Sequence, residues 1–229
     1  MTIVHRCALV CCLASAWAAT LSAQSAPAFE SKQLVVSAGL IAARGYAIGD
    51  QTADLRRSGS NTAPFTLFRA ESGIEGAPGF DARLAYALSR AFSVEVAGTF
   101  SSPQLAVHIS QDAESAPETD ITEAIGQFTL EVSGLWHLPG RSMGARARPY
   151  LIGGGGYLRQ LHEERYLVET GGVAYGGGGV HYWFRAPRRG QRALGVRGEA
   201  ALVVRSRGIE FEDKRRAYPR LSALGFIAF

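Results

Sequence analysis

The feature that most constrains the fold is an alternation of apolar and polar residues with a period of two. In residues 127–138, QFTLEVSGLWHL, large apolar side chains occupy one set of alternate positions, and Glu131 lies in the other set. The same alternation occurs in residues 79–89 (GFDARLAYALS), 92–100 (FSVEVAGTF) and 193–204 (ALGVRGEAALVV). Alternation over such lengths is typical of β-strands with two chemically different faces. The sequence therefore predicts an all-β protein.

Four weaker runs bring the number of predicted strands to eight; they span 33–43, 149–159, 173–184 and 218–229. Shorter connections alternate with long ones, and the long ones span 44–79, 101–124, 160–172 and 205–217. An up-and-down meander of antiparallel strands produces this order, with all long loops at one end and all short turns at the other. The segment PFTLFR in the first long connection predicts either an extended strand or a separate hairpin, and both remain open.

The first 23 residues are typical of a secretory signal peptide. Arg6 precedes an apolar stretch over residues 7–19, and small residues lead to an expected cleavage between Ala23 and Gln24. All three cysteines lie in this segment; acylation of Cys12 is the less favoured alternative, because the residues before it are not small. Beyond it no run reaches the roughly 18 apolar residues of a membrane helix. We expect an exported domain over 24–229 without thiols.

Five charged residues lie in the middle of predicted strands, on the face opposite the large apolar side chains. They are Arg83, Glu95, Glu131, Arg197 and Glu199. In a membrane barrel such residues line the lumen, whereas in a soluble barrel they face water and the apolar face turns inward. The clear strands run about nine to twelve residues, close to the roughly 9–11 that a tilted membrane strand needs. Strand length and export favour the lumen.

Aromatic residues at strand ends predict a girdle at the membrane interface. Phe92, Trp136, Tyr150 and Trp183 fall at the short-turn end of their strands. Girdles of this kind flank the apolar band of membrane barrels. The basic stretch RAPRRGQR lacks interleaved aromatic residues, and we interpret it as a solvated turn rather than a nucleic-acid contact.

The chain ends in GFIAF, with Phe229 as its last residue. Together with the alternating strands, this ending resembles bacterial outer-membrane β-barrel proteins of the small eight-stranded type, related to the OmpA transmembrane domain and OmpX. The resemblance implies that Phe229 forms part of the signal that the barrel-assembly machinery recognises. It also implies contact with outer-membrane lipid and lipopolysaccharide. One departure is that Leu224 and Phe226 make the inward face of the last strand unusually apolar.

The predicted fold is thus an eight-stranded antiparallel up-and-down transmembrane β-barrel with long extracellular loops and short periplasmic turns. An eight-stranded barrel is just wide enough to be filled by side chains, so we expect a plugged lumen and a structural or surface-binding role in the outer membrane. The sequence indicates no cofactor, no metal spacing and no nucleic-acid partner, and it names no loop ligand. The alternative is a secreted or periplasmic soluble barrel that binds a small apolar ligand.

Two further patterns bear on possible chemistry. His108 and Ser110 are the one Ser/His arrangement of interest for a lipid-modifying enzyme, although an ordinary loop histidine is favoured. The glycine runs at 153–156 and 176–179 lie in predicted strands and lack the Lys-Ser or Lys-Thr of a phosphate loop. We therefore expect them to relieve crowding on a curved wall, with Tyr157 or Tyr175 lying across a glycine.

Overall fold

The structure is a computed structural model that describes residues 27–55, 65–111, 113, 117–139, 141, 143, 145–162, 167–186, 191–209 and 215–229. The predicted signal peptide, residues 1–23, lies outside these residues. Strands β1 to β12 span Leu34–Ala43, Tyr46–Leu55, Phe65–Ile74, Ala77–Ala87, Phe92–Ser101, Gln104–Ser110, Thr119–Ala124, Gly126–His137, Ala147–Leu161, Val168–Arg185, Ala193–Arg207 and Arg216–Ala228. In these ranges no helix is long and apolar enough to cross a bilayer.

Eight of the strands close into an antiparallel barrel, in the order β1-β12-β11-β10-β9-β8-β5-β4. The ring closes because β1 pairs with the last strand on one side and with β4 on the other: Leu40 is opposite both Ala223 and Phe80. Closure removes free sheet edges from the barrel wall. The predicted eight-stranded up-and-down barrel is confirmed, and each predicted strand lies within or overlaps one of these eight.

The first two long connections form a second sheet beyond the barrel, with the order β2-β3-β6-β7. We call it the loop-end sheet, and the barrel ends the loop end and the turn end. Residues 65–69 of the segment PFTLFR lie in β3, which pairs with β2 in a hairpin, so the second of the two open interpretations is correct; Pro64 lies outside the described residues. The hairpins join because β3 also pairs with β6.

The outer wall of the barrel carries an apolar belt. Large apolar side chains alternate outward along every barrel strand and remain exposed, among them Leu40, Phe80, Leu84, Val96, Phe128, Leu130, Val132, Leu151, Leu194, Leu202, Leu221 and Ile227. The positions between them point inward and are mostly buried. An apolar outer face around an interior that holds the charged residues is the arrangement of a membrane barrel, whereas a soluble carrier turns its apolar face inward.

The glycine runs lie where neighbouring strands approach closely. A Cβ added at Gly177 would lie 2.6 Å from the Cα of Ala201, and one at Gly156 would lie 2.7 Å from the Cα of Glu131. Side chains on these inward positions would collide with the adjacent strand, as expected for a tightly curved wall. Within the two glycine runs, the aromatic ring that lies against a glycine is that of Tyr150, next to Gly179, rather than the predicted ring of Tyr157 or Tyr175.

Candidate functional site

The interior of the barrel holds the charged residues. The alternation of β4, β5, β8 and β11 brings Arg83, Glu95, Glu131, Arg197 and Glu199 to the inner wall, and all five are buried. Sequence reasoning missed four more buried charged residues at inward positions of their strands, Asp81, Arg148, Arg205 and Arg220. Because a buried charge is costly unless it is paired, the partners of each group decide whether this interior is tenable.

Arg83 is the centre of the first group of contacts. Its Nη2 donates to Asp81 Oδ2 at 2.6 Å, and its Nε donates to the same oxygen at 2.9 Å. Its Nη1 donates to Glu95 Oε1 at 3.0 Å and to Glu199 Oε2 at 3.1 Å. One guanidinium group therefore joins three carboxylates from β4, β5 and β11, and links strands that are not neighbours in the wall.

Arg197 shares two of these carboxylates with Arg83. We call the resulting group, which consists of Arg83, Arg197, Asp81, Glu95, Glu199 and Tyr150, the lumenal ion network. The Nη2 of Arg197 donates to Glu199 Oε2 at 2.6 Å, its Nη1 donates to Glu95 Oε2, and its Nε donates to the hydroxyl of Tyr150 at 3.1 Å. The Tyr150 hydroxyl in turn donates to Glu199 Oε2 at 2.9 Å. Glu95 and Glu199 are each shared by two arginines, and Asp81 is bound by Arg83. Every carboxylate of the network therefore has an arginine partner.

A second ion pair lies nearby. Arg220 Nη1 and Nη2 donate to the two oxygens of Glu131 at 2.6 and 3.0 Å, which is the bidentate geometry that arginine forms best with a carboxylate. Thr129 donates to Glu131 at 3.0 Å. The guanidinium of Arg220 also lies 4.6 Å from the ring centroid of Tyr175. The network and this pair fill the middle of the lumen with three arginines and four acids.

The turn end of the lumen is closed by an aromatic cluster. Phe29, from the segment before β1, inserts among His137, His181, Trp183 and Phe226, with ring centroids 5.2–5.8 Å apart. Phe29 is itself buried. The apolar inward residues of the last strand, which departed from the family pattern, are explained by this cluster because Phe226 is one of its members.

The predicted girdle is wrong for two of its four residues. Tyr150 and Trp183 are each only 1% exposed and lie inside the barrel, whereas Phe92 and Trp136 are exposed on the outer wall. Tyr182, Trp183 and Phe184 are consecutive aromatic residues, and a register shift lies between Trp183 and Arg185, so the sequence pattern cannot settle their faces. A glycine run follows Tyr150 closely and leaves too few side chains to define the face.

The loop end is closed by a separate apolar cluster of Ile48, Ile74, Ile125 and Ile209. Beneath it, the rings of Tyr46 and Tyr218 stack with centroids 5.1 Å apart. Arg205 donates to the hydroxyl of Tyr46 and to the backbone carbonyls of Arg207 and Ile209. No sequence pattern signalled this closure, because Ile48, Ile74 and Ile209 belong to the long connections.

One face of the loop-end sheet carries a row of ionisable side chains. Asp50, Glu71, His108 and Asp120 are opposite one another across the four strands. They line a cavity of about 1030 Å³ together with Arg69, which pairs with Asp50 at 3.2 Å.

His108 is held by acidic neighbours rather than by Ser110. Its Nδ1 lies 2.7 Å from Asp120 Oδ1, and its Nε2 lies 3.9 Å from Glu118 Oε2. The hydrogen bond to Asp120 raises the pKa of His108 above its ordinary value, and the nearby carboxylates act in the same direction. In the described structure no hydrogen bond joins His108 to Ser110, so the Ser/His arrangement of a hydrolytic enzyme does not form. Among the described residues no group of acids, histidines or cysteines could hold a metal ion.

Phe229 lies at the turn end, outside the barrel. Its side chain is 53% exposed, its backbone N–H donates to the carbonyl of Leu34 at 2.9 Å, and the guanidinium of Arg192 lies 5.1 Å from its ring centroid. The terminal ring is thus presented on the outer wall at the seam between β1 and β12. Its role in assembly stays a prediction.

No protein-family model and no curated protein matches this chain. Nine chains of solved structures match its fold. One is the outer membrane protein OprG from Pseudomonas aeruginosa, which superposes with a TM-score of 0.51 over 90% of this chain and 99% of OprG at 9% sequence identity. At that identity the likeness concerns the fold. The fold is that of a small eight-stranded outer-membrane β-barrel.

Proposed function

We propose that the protein is a bacterial outer-membrane barrel with a closed lumen and a structural or surface-binding role. The observation that carries this proposal is the combination of an apolar outer wall with an interior in which Arg83, Arg197 and Arg220 form ion pairs with buried carboxylates. An Arg facing lipid near the midplane costs roughly 2–4 kcal/mol, so a barrel whose outer wall is in lipid keeps its charged residues on the inner wall. A soluble carrier needs the opposite arrangement.

The proposal also includes export of the chain and its orientation in the outer membrane. Residues 1–23 act as a cleaved signal peptide, and the assembly machinery recognises the last strand with its terminal Phe229. Both ends of the barrel chain then lie in the periplasm, since the N-terminal segment and Phe229 share the turn end. The long connections and the loop-end sheet face the exterior, where lipopolysaccharide surrounds the barrel.

Three layers support a closed lumen. The Phe29 cluster fills the turn end, the lumenal ion network fills the middle, and the isoleucine cluster covers the loop end. Eight strands leave room for little more than side chains. The barrel therefore serves as a rigid anchor, and recognition belongs to the loop-end sheet, whose cavity presents carboxylates, Arg69 and His108 to the outside.

Cell fractionation combined with electrophoresis before and after boiling tests the membrane assignment. A folded membrane barrel gives an outer-membrane band that shifts on boiling, whereas a soluble barrel gives a periplasmic protein without this shift. Conductance of the purified protein in planar bilayers tests the closed lumen separately. Steady ohmic conductance through wild-type protein would contradict closure and leave the membrane assignment intact.

A further inference from the structure

The two ends of the barrel differ in charge. Among the described residues the turn end carries six exposed basic side chains, Lys32, Arg90, Arg141, Arg146, Arg185 and Arg192, against the single acidic side chain of Glu30. In sequence, Arg188 and Arg189 belong to the same connection. The described acids outside the lumen otherwise lie at the loop end, for example Asp50, Glu71 and Asp120. A basic surface of this kind attracts anionic partners.

Three of these arginines surround one concavity, which we call the turn-end arginine pocket. It has a volume of about 730 Å³ and is lined by Arg146, Arg185 and Arg192 together with Pro27, Trp183 and Phe184. None of the described residues that line it has an acidic side chain. Trp183 faces the barrel interior and Phe184 is 56% exposed on the outer wall, so the pocket lies across the rim between lumen and lipid.

The sequence and the sheet pairing explain why the three side chains converge. Arg146 directly precedes β9, and its carbonyl accepts a hydrogen bond from the N–H of Trp183 at 2.9 Å. Arg185 ends β10 opposite Leu194, after the register shift, and Arg192 directly precedes β11. Adjacent strand ends thus bring three positive charges to one rim segment.

These guanidinium groups lack carboxylate partners within the described chain. No ion pair joins Arg146, Arg185 or Arg192 to a described acid, and the one described contact of an Arg192 guanidinium is the ring of Phe229. By contrast, Arg83 and Arg197 are each held by two or more carboxylates. Arginine recognises phosphate oxygens through its planar fork of donors, and three like charges together favour an anionic oxygen ligand.

We infer that the turn-end arginine pocket binds the phosphate of an anionic phospholipid headgroup in the periplasmic leaflet. This inference rests on the membrane insertion of the proposed function. The pocket lies immediately beyond the apolar belt, and the exposed Phe184 continues from it onto the outer wall, so an acyl chain can follow that wall while the phosphate meets the arginines. Basic side chains just beyond a membrane's apolar region interact favourably with anionic headgroups.

Native mass spectrometry of the full mature chain in detergent, titrated with dioleoyl phosphatidylglycerol, measures this binding. Each arginine near an anionic surface contributes about a fivefold factor in affinity, so Arg146→Gln, Arg185→Gln and Arg192→Gln together should weaken binding roughly a hundredfold. A control with Arg44→Gln, Arg159→Gln and Arg215→Gln removes the same charge from exposed positions at the loop end. It should retain wild-type affinity.

Equal weakening in the pocket variant and in the control would overturn the inference, because binding would then depend on overall charge. Displacement of the lipid by inorganic phosphate at similar concentrations would also overturn it, in favour of a free-phosphate site. The boiling shift is measured on wild-type protein and on every variant as a test of folding. Absence of the shift in wild-type protein would contradict the membrane insertion on which the inference rests. If the triple variant alone fails to fold, the three single variants, each expected to bind about fivefold more weakly, decide the question.

Discussion

Removal of Arg83 should lower the unfolding free energy of the barrel, and the size of the loss follows from the ion pairs that Arg83 forms in the lumenal ion network. Arg83 contacts Asp81, Glu95 and Glu199 at 2.6–3.1 Å, and its side chain is almost completely buried. One such pair at about 3 Å has a gross Coulomb energy of about 5 kcal/mol at an effective dielectric constant of about 20. Much of this is offset by the desolvation of the charges, and breaking a buried pair costs about 3–5 kcal/mol net.

Asp81 accounts for much of that cost. Glu95 and Glu199 keep Arg197 when Arg83 is replaced by methionine, but the described hydrogen bonds of Asp81 come from Arg83 alone. The substitution Arg83→Met therefore leaves a buried, unpaired carboxylate, and Asp81→Asn in the same chain should recover about half of the lost stability. A loss of about 3–5 kcal/mol against a typical margin of about 5–15 kcal/mol leaves the variant folded in most conditions.

Urea unfolding in phospholipid vesicles, followed by tryptophan fluorescence and by the boiling shift, measures these free energies. Arg44→Met, at an exposed position with no described ion pair, is the control and should stay within about 0.5 kcal/mol of wild type. The reasoning would be refuted by an Arg83→Met variant as stable as the control. It would also be refuted if Asp81→Asn made that variant less stable still.

Three further predictions concern the wall, the turn-end closure and the loop-end sheet. Gly177→Ala should greatly reduce the fraction of boiling-shifted protein, because its Cβ would collide with the next strand, whereas Gly176→Ala should fold normally, since the nearest atom to its Cβ is 4.0 Å away. Phe29→Ala should lower the unfolding free energy by about 3–5 kcal/mol in the same urea assay, by leaving a cavity in the aromatic cluster; an unchanged midpoint would contradict the closure. Asp120→Asn should lower the pKa of His108 in an NMR titration, because the carboxylate stabilises the imidazolium. In wild type, the stabilisation from this pair should be complete below the ordinary histidine pKa and should be lost as pH rises through the raised pKa of His108.

The barrel could be predicted from the sequence because its strands alternate over nine or more residues and their connections differ regularly in length. The faces of Arg83, Glu95 and Glu131 followed directly from the large apolar neighbours on either side. Arg220 was overlooked because its strand carries apolar residues on both faces, as Phe226 packs into the turn-end cluster. The alternation of apolar and polar residues identifies the side chains that face lipid, but it cannot distinguish the two faces of a strand when both are apolar.

The loop-end sheet and the two closures could not be predicted for a different reason. The strand β7, TDITEA, is exposed at nearly every position, and its pairing depends on partners distant in the chain. Phe29 lies in a segment with no periodic pattern, and only the three-dimensional cluster shows its role. Tyr150 was misplaced because the glycines that follow it carry no side chains with which to define a face.

The accessibility of single cysteines tests the central claim, an apolar wall in lipid around a closed ionic lumen, most directly. The chain after residue 12 contains no cysteine, so Val132→Cys on the outer wall and Ser133→Cys on the inner wall of β8 each introduce one thiol. In outer membranes, Val132→Cys should react with a lipid-soluble maleimide but not with a charged methanethiosulfonate, and Ser133→Cys should react with neither until the protein is boiled. Rapid reaction of Val132→Cys with the charged reagent would show a wall in water, and the same reaction at Ser133→Cys in folded protein would show an open, water-filled lumen.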